Sequence, residues 1–96
     1  MKPSAALRRH RDAVRAAVSR HRAANPRVFG SVLRAEDGEG SDLDLLVDAL
    51  PGATLFELGE LHFELEALLG VSVDLVTPGD LSPRLREQVL REAQPL

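Results

Sequence analysis

The chain is poor in several residue types, and each shortage narrows what it can be. Its 96 residues include no cysteine, tryptophan or tyrosine, so disulfide bonds and thiolate metal sites are excluded. No apolar run approaches the roughly 20 residues that cross a bilayer, and the N-terminus has no apolar signal core. The length suits one domain with a modest core. We therefore expect a single cytoplasmic domain over residues 1–96.

Charge is distributed unevenly along the chain, although the formal net charge is only −3. Residues 1–34 hold nine Lys and Arg against one acid, whereas residues 35–96 hold three Arg against fourteen acids. This division suggests a basic surface for an acidic partner or phosphate, and an acidic half that attracts metal. The basic N-terminal segment has no interleaved aromatic residues, which argues against a nucleic-acid surface.

Hydrophobic periodicity and turn residues predict a small α+β fold. The predicted strands span residues 27–31, 43–47 and 71–76, and the predicted helices span 4–23, 55–69 and a segment after Ser82. Thr54 and Gly70 are placed to cap the middle helix, which is long enough to cross between parallel strands. We expect a mixed sheet of about three strands flanked by helices.

The most informative pattern joins a Gly-Ser turn to three aspartates. Gly30-Ser31 follows the first predicted strand, and ten residues separate it from Asp42 and Asp44 on the second. Alternate strand residues share a face with Cα atoms about 6–7 Å apart, so this pair of carboxylates can hold two divalent cations. Asp74 can reach the same metals if its strand is a neighbour. The alternative, three solvated aspartates, is disfavoured because clustered carboxylates repel one another.

This pattern resembles the polymerase-beta-like nucleotidyltransferase superfamily, and in particular its minimal nucleotidyltransferases, from about Arg27 to the C-terminus. The resemblance implies an Mg²⁺-dependent enzyme, with two ions and with Mn²⁺ as a substitute, that transfers AMP from ATP to a hydroxyl group. It assigns metal binding and catalysis to Asp42, Asp44 and Asp74, and nucleotide binding to Gly30, Ser31 and Arg34.

The loop after the Gly-Ser turn departs from the family pattern. Many relatives have glycine after the arginine, whereas here Ala35 follows Arg34. We therefore expect the loop to turn at Gly38 and Gly40 instead. Arg34 can pair equally well with triphosphate oxygens or with the acidic loop beside it.

The resemblance also implies a partner. Minimal nucleotidyltransferases are paired with HEPN-domain toxins, so it implies an antitoxin that modifies a tyrosine hydroxyl of a HEPN partner. Two alternatives stay open: an antitoxin that neutralises its partner by binding only, and a catalytic subunit of a small-molecule or tRNA nucleotidyltransferase.

The predicted helix over 55–69 carries two apolar faces. Its core face comprises Leu55, Leu58, Leu61, Leu65, Leu68 and Leu69. Phe56 and Phe63 project to the other side, which a small domain can scarcely cover, so we expect a homo- or hetero-oligomer surface there. His62 is expected to be a neutral packing residue, and Asp48 a solvated residue at the strand end.

Overall fold

The computed structural model describes every residue from 1 to 96 and contains three α-helices, a 3₁₀ turn and one four-stranded sheet. In chain order the elements are α1 (Pro3–Arg20), β1 (Ala23–Phe29), β2 (Leu43–Ala49), α2 (Leu55–Leu69), β3 (Val73–Val76), the 3₁₀ turn (Pro78–Asp80), α3 (Pro83–Glu92) and β4 (Gln94–Pro95). None of the helices combines the length and the apolar character that a membrane crossing requires.

The sheet is mixed, as the sequence predicts, with strand order β3-β2-β1-β4. β1 runs antiparallel to β2 and β4, whereas β2 and β3 are parallel and are joined by the α2 crossover. The prediction of about three strands misses β4. Two residues leave no alternating pattern to recognise, and their pairing with Arg27 and Val28 depends on tertiary structure.

The junction between α1 and β1 differs from the prediction. The helix ends at Arg20 rather than near residue 23, and β1 begins at Ala23 rather than at Arg27. Asn25 adopts a positive φ of 55°, and the register with β2 shifts around it. This irregularity accommodates Pro26, which has no N–H to donate to a strand ladder. Because proline is unfavourable inside a strand, the sequence predicted a start of β1 that is too late.

One face of the sheet is covered by α1 and α2, which also pack against each other. The core there includes Leu7, Val14 and Val18 from α1, Leu61, Leu65 and Leu69 from α2, and Val28, Leu43, Leu45, Val47 and Val73 from the strands. Because strand side chains alternate, burying the odd-numbered residues of β2 turns Asp44 and Asp48 to the opposite face. The core thus decides which way the candidate site faces.

The helix α2 has the predicted bounds. The Thr54 hydroxyl accepts the N–H of Glu57 at 3.1 Å, and Gly70 ends the helix in the left-handed conformation with a φ of 69°. Phe56 and Phe63 are each 76% exposed, on the side away from the core, as the sequence predicts.

Two other residues of α2 lie outside the predicted core. Leu55 is 85% exposed because it is the first helical residue and its side chain leans beyond the sheet, toward the helix N-terminus. The His62 side chain is 44% exposed, and its Nε2 lies 2.7 Å from the carbonyl oxygen of Val73. His62 therefore contacts the backbone of β3 and is not a core histidine.

Candidate active site

Strand pairing places two of the predicted aspartates side by side. Asp44 on β2 is the register partner of Asp74 on the parallel strand β3 and of Phe29 on β1. Neighbouring strands lie about 4.8 Å apart, so the two aspartates start from adjacent backbone positions on one face. Asp42 precedes β2 by one residue, is exposed, and shares the strand parity of Asp44. The structure therefore brings the three aspartates to the same end of the sheet.

The pKa of Asp44 responds to its burial and to the other two carboxylates. The pKa of Asp44 is raised from 3.8 to about 6, first by burial of the carboxyl group and then by the negative charges of Asp74 and Asp42. Arg34 opposes the shift. The charge of this site is thus not balanced by the chain itself, which is the condition that favours a cation from solution.

Gly30 makes room for the Asp44 carboxylate. It directly follows β1 with a φ of +74°, a conformation that side-chain-bearing residues rarely adopt. A β-carbon at this position would overlap a carboxylate oxygen of Asp44 and would lie 3.0 Å from its Cγ. Conformation and close approach both require glycine here, so Gly30 and Asp44 pack directly against each other.

The turn continues as a single helix-like turn over residues 31–35. The N–H of Arg34 donates to the Gly30 carbonyl at 3.2 Å, and the N–H of Glu36 donates to the Ser31 carbonyl at 2.8 Å. Ser31 is half-buried beside Gly30. Ser31 therefore directly follows the glycine that packs against Asp44.

The loop turns at the predicted glycines and also at Ala35. Ala35 itself adopts the left-handed conformation, with a φ of 58°, at the position where many relatives have glycine. Gly40 has a positive φ of 84°, and the N–H of Ser41 donates to the carbonyl of Gly38 at 3.1 Å, so the predicted turn at Gly38 and Gly40 is present. Ala35 therefore adopts a conformation that favours glycine, at the conformational cost that a β-carbon brings in this region.

Arg34 is engaged by the acidic loop. Its Nε donates to Oε1 of Glu36 at 2.8 Å, and the side chain is more than half exposed. It is also close enough to lower the pKa of Asp44. Both predicted roles of Arg34 thus remain available, because an exposed ion pair of this kind contributes little and is easily exchanged.

The donor set fits a hard divalent cation. Carboxylate oxygens suit Mg²⁺ and Mn²⁺, and Gly30 leaves the space in which the Asp44 carboxylate lies. No three acidic or histidine side chains converge closely enough in this structure to enclose an ion. However, Asp42 and Asp74 are exposed, so their carboxylates can rotate while the strands hold the backbone positions.

Asp48, at the other end of β2, is 45% exposed, as the sequence suggested, but it is also paired, which the sequence did not predict. Arg27 donates to its two carboxylate oxygens at 3.0 and 3.3 Å, and Asn25 donates at 3.2 Å. The hydrogen bond from Arg27 holds the pKa of Asp48 below its usual value. The Arg27 side chain is only 11% exposed, so this pair fixes a buried guanidinium. The one signal in the sequence was an arginine inside an apolar strand.

Sequence comparison with known proteins finds a matching family and several relatives. Residues 7–96 match the family described as nucleotidyltransferase domain. The protein adenylyltransferase MntA of Thermococcus cleftensis is 48% identical over 65 residues, which cover 68% of this chain and 66%, just under two thirds, of MntA. A Methanocaldococcus jannaschii protein, provisionally named a protein adenylyltransferase, is 42% identical over 66 residues, which cover 69% of this chain and 71% of that protein.

Solved structures share the architecture. One that is provisionally named a minimal nucleotidyltransferase superposes with a TM-score of 0.89 at 54% identity, covering 100% of this chain and 97% of that chain. A chain in a variant of the toxin–antitoxin complex MntA–HpeT gives a TM-score of 0.72 at 21% identity, covering 88% of this chain and 69% of that one. The second likeness shows the fold alone. Together they confirm the fold predicted from the sequence.

Proposed function

The chain belongs to the nucleotidyltransferase domain family, and from this membership we propose that it transfers AMP from ATP to a hydroxyl group of a partner protein. The observation that carries the proposal is the crowding of Asp44 by Asp42 and Asp74 directly beside the Gly30 turn. Clustered carboxylates repel one another and slightly destabilise the fold. Such clusters therefore usually mark binding or catalytic sites.

Each residue of the cluster has a role in the proposed reaction. The acceptor oxygen forms a bond to the α-phosphorus of ATP, the bond from that phosphorus to the pyrophosphate oxygen breaks, and pyrophosphate leaves. Asp74, on the edge strand, can take the proton of the acceptor hydroxyl. Ser31 and the backbone N–H groups of the turn hold the departing phosphates.

Two Mg²⁺ ions, or Mn²⁺ in their place, are part of the proposal and would be held by Asp42, Asp44 and Asp74. Such ions neutralise the phosphate charge and stabilise the attacking and leaving oxygens. Arg34 can exchange Glu36 for a phosphate oxygen at little cost, because its ion pair is exposed.

The proposed acceptor is a tyrosine hydroxyl of a HEPN-domain toxin, and the proposed role is that of a cytoplasmic antitoxin. Support comes from the names of similar proteins: a 48% identical relative is the protein adenylyltransferase MntA, and an MntA occurs in a toxin–antitoxin complex with HpeT. Neutralisation by binding alone is the second candidate, because Phe56 and Phe63 offer an exposed apolar surface without any chemistry.

Intact-mass measurement on a HEPN toxin incubated with this protein, ATP and Mg²⁺ tests the proposal. We expect the toxin to gain the mass of one AMP unit and to lose its toxicity. Asp42→Asn should abolish both effects, whereas the matched control Asp48→Asn, near the other end of β2, should retain both. If wild type and Asp42→Asn both silence an unmodified toxin, binding alone is the mechanism. An unmodified and fully active toxin would refute both candidates.

A further inference from the structure

β3 is the least supported strand of the candidate site. It has four residues and lies at the edge of the sheet, so it pairs with β2 alone, whereas β2 pairs with strands on both sides. Asp74 is exposed, so packing around its side chain does not fix the carboxylate. The position of that carboxylate therefore depends on how firmly the backbone of β3 is held.

The register between β2 and β3 decides which backbone groups of β3 lack a strand partner. The N–H of Leu43 donates to the carbonyl of Ser72 at 2.9 Å, and Asp44 is the register partner of Asp74. In a parallel ladder this register points the backbone groups of Asp74 toward β2 and those of Val73 toward the free edge. Val73 is buried, and buried backbone groups need hydrogen-bond partners.

Two side chains of α2 supply these partners. Oε2 of Glu66 accepts the N–H of Val73 at 2.8 Å, and Nε2 of His62 lies 2.7 Å from the Val73 carbonyl oxygen. Because a carbonyl oxygen only accepts, Nε2 must carry the hydrogen and donate it. The two side chains also contact each other, with Nε2 and Oε2 3.4 Å apart. Residues i and i+4 of a helix share a face, so one turn of α2 reaches both backbone groups of Val73.

The pair acts on Val73 as a neighbouring strand would. A residue inside a ladder donates one hydrogen bond to the next strand and accepts one from it, and Val73 makes the same two bonds with side chains of a helix. Val73 directly precedes Asp74 in the chain. Because α2 covers the face opposite to the aspartates, the pair influences the Asp74 carboxylate through the backbone of β3.

We propose that His62 and Glu66 are positioning residues of the candidate site, which stand in for a missing strand at Val73 and thereby keep Asp74 against β2, beside Asp44. The inference rests on the proposed function, because it concerns the cation site that the aspartates form. It also accounts for a histidine and a glutamate on the strand-facing side of a helix whose neighbouring core positions are leucines. Apolar side chains there would leave both backbone groups of Val73 without partners.

Binding of Mn²⁺ together with a non-hydrolysable ATP analogue tests the positioning role without turnover. Glu66→Leu and His62→Leu each remove one hydrogen bond to Val73 and introduce a good helix former. Each should weaken the binding about 10- to 100-fold, as the loss of a group that orients a metal ligand usually does. Glu66→Gln keeps an acceptor and His62→Gln keeps an N–H donor, so both should restore most of the affinity.

Glu64→Leu is the matched control on the same helix. Glu64 contacts α1, with Arg20 at 2.6 Å and His21 at 3.4 Å, and makes no hydrogen bond to β3. Its replacement removes a contact between two elements but leaves the edge of β3 intact, so the affinity for Mn²⁺ and the nucleotide should stay unchanged. A contribution to general stability alone would instead give all three leucine variants the affinity of wild type at a temperature where each is folded.

Amide hydrogen exchange in EDTA reports on the strand without any metal. The N–H of Asp74 points to β2, so its exchange shows how often β3 leaves the sheet. We expect this amide to exchange about tenfold faster in Glu66→Leu than in wild type, because one hydrogen bond at the edge is lost. Glu64→Leu should match wild type at this amide.

The outcomes separate this inference from the proposed function. If wild type, Glu66→Leu and His62→Leu bind Mn²⁺ and the nucleotide equally well, the positioning role is overturned, whatever the protein does to a toxin. Failure of wild type itself to bind them would refute the proposed function, and exchange at Asp74 alone would then decide whether the pair holds the strand.

Discussion

Asp44 and Asp48 stand four positions apart on one face of β2, yet the protein treats them in opposite ways. The carboxylate of Asp48 is paired with Arg27 and bonded to Asn25, and its pKa is lowered. The carboxylate of Asp44 is half-buried beside two other acids, and its pKa is raised to about 6. The same residue type on the same strand therefore stabilises the fold at one end and opposes it at the other.

The difference shows which negative charges the chain neutralises by itself. At the Asp48 end, a buried guanidinium supplies the counter-charge within the fold. At the Asp44 end, Arg34 is the one basic residue that lowers the pKa, and it is already paired with Glu36. A balanced charge is a structural element, whereas an unbalanced cluster beside a glycine turn favours a cation from outside, and we propose that this is the functional end.

The largest expected effect breaks the functional end. Asp44→Asn should lower the rate of AMP transfer by on the order of 10³-fold or more, because losing a metal ligand forfeits several kcal/mol of transition-state stabilisation. Asp48→Asn, with the same change of atoms, should stay within a few-fold of wild type at a temperature where both are folded. If initial rates of AMP transfer fall by a similar factor in both variants, the two ends of β2 do not differ in function.

The second effect breaks the structural end. Asp48→Asn should lower the free energy of unfolding by about 2 kcal/mol, because it leaves the buried Arg27 guanidinium without its charged partner. Urea unfolding followed by circular dichroism measures it. The contribution is present above pH 4 and is lost as the pH falls below the ordinary aspartate value of 3.8, since the pKa of Asp48 is lowered. A variant as stable as wild type at neutral pH would show that the pair contributes nothing.

The third effect has the opposite sign. The pKa of Asp44 is raised, so the folded state binds more protons than the unfolded state between about pH 4 and pH 6, and wild type loses stability as the pH rises through that window. Asp44→Asn cannot ionise and should escape this loss. In EDTA, the variant should gain on the order of 1 kcal/mol relative to wild type between pH 4 and pH 7, after allowance for solvent screening. If the difference in unfolding free energy between Asp44→Asn and wild type is the same at pH 4 and at pH 7, the raised pKa of Asp44 is contradicted.

The smallest effect concerns the loop that links the two strands of the site. Ala35 has a φ of 58°, which glycine adopts without strain. Ala35→Gly should therefore stabilise the protein by about 0.5–1 kcal/mol, even though glycine makes the unfolded chain more flexible. Thermal unfolding against the control Ala16→Gly, in the exposed middle of α1 where glycine should destabilise, checks the sign.

The features that the sequence could predict depend on local chemistry. Thr54 and Gly70 bound α2 correctly because caps act within one turn, and the alternation along β2 places the aspartates on the correct face. The spacing between Gly30 and the aspartates identified it as a candidate site residue. The structure adds that it must be glycine for Asp44 to fit.

The missed features depend on residues far apart in the chain. The pairing of Arg27 with Asp48 joins two strands, and nothing in either segment marks the other as its partner. His62 looked like a core residue by helical spacing, but its partner is a carbonyl of β3. Periodicity shows which face of an element is apolar, and it does not show where the neighbouring element ends.

Calorimetric titration of Mg²⁺ with a non-hydrolysable ATP analogue tests most directly whether the aspartate cluster is completed by a cation. Wild type and Asp48→Asn should bind the metal–nucleotide complex with similar affinity, because the Arg27 pair lies outside the site. Asp44→Asn should lose the binding while keeping its fold. Equal binding by Asp44→Asn and wild type would contradict the account, since the carboxylate that the fold leaves unbalanced would then have no role in holding the cation.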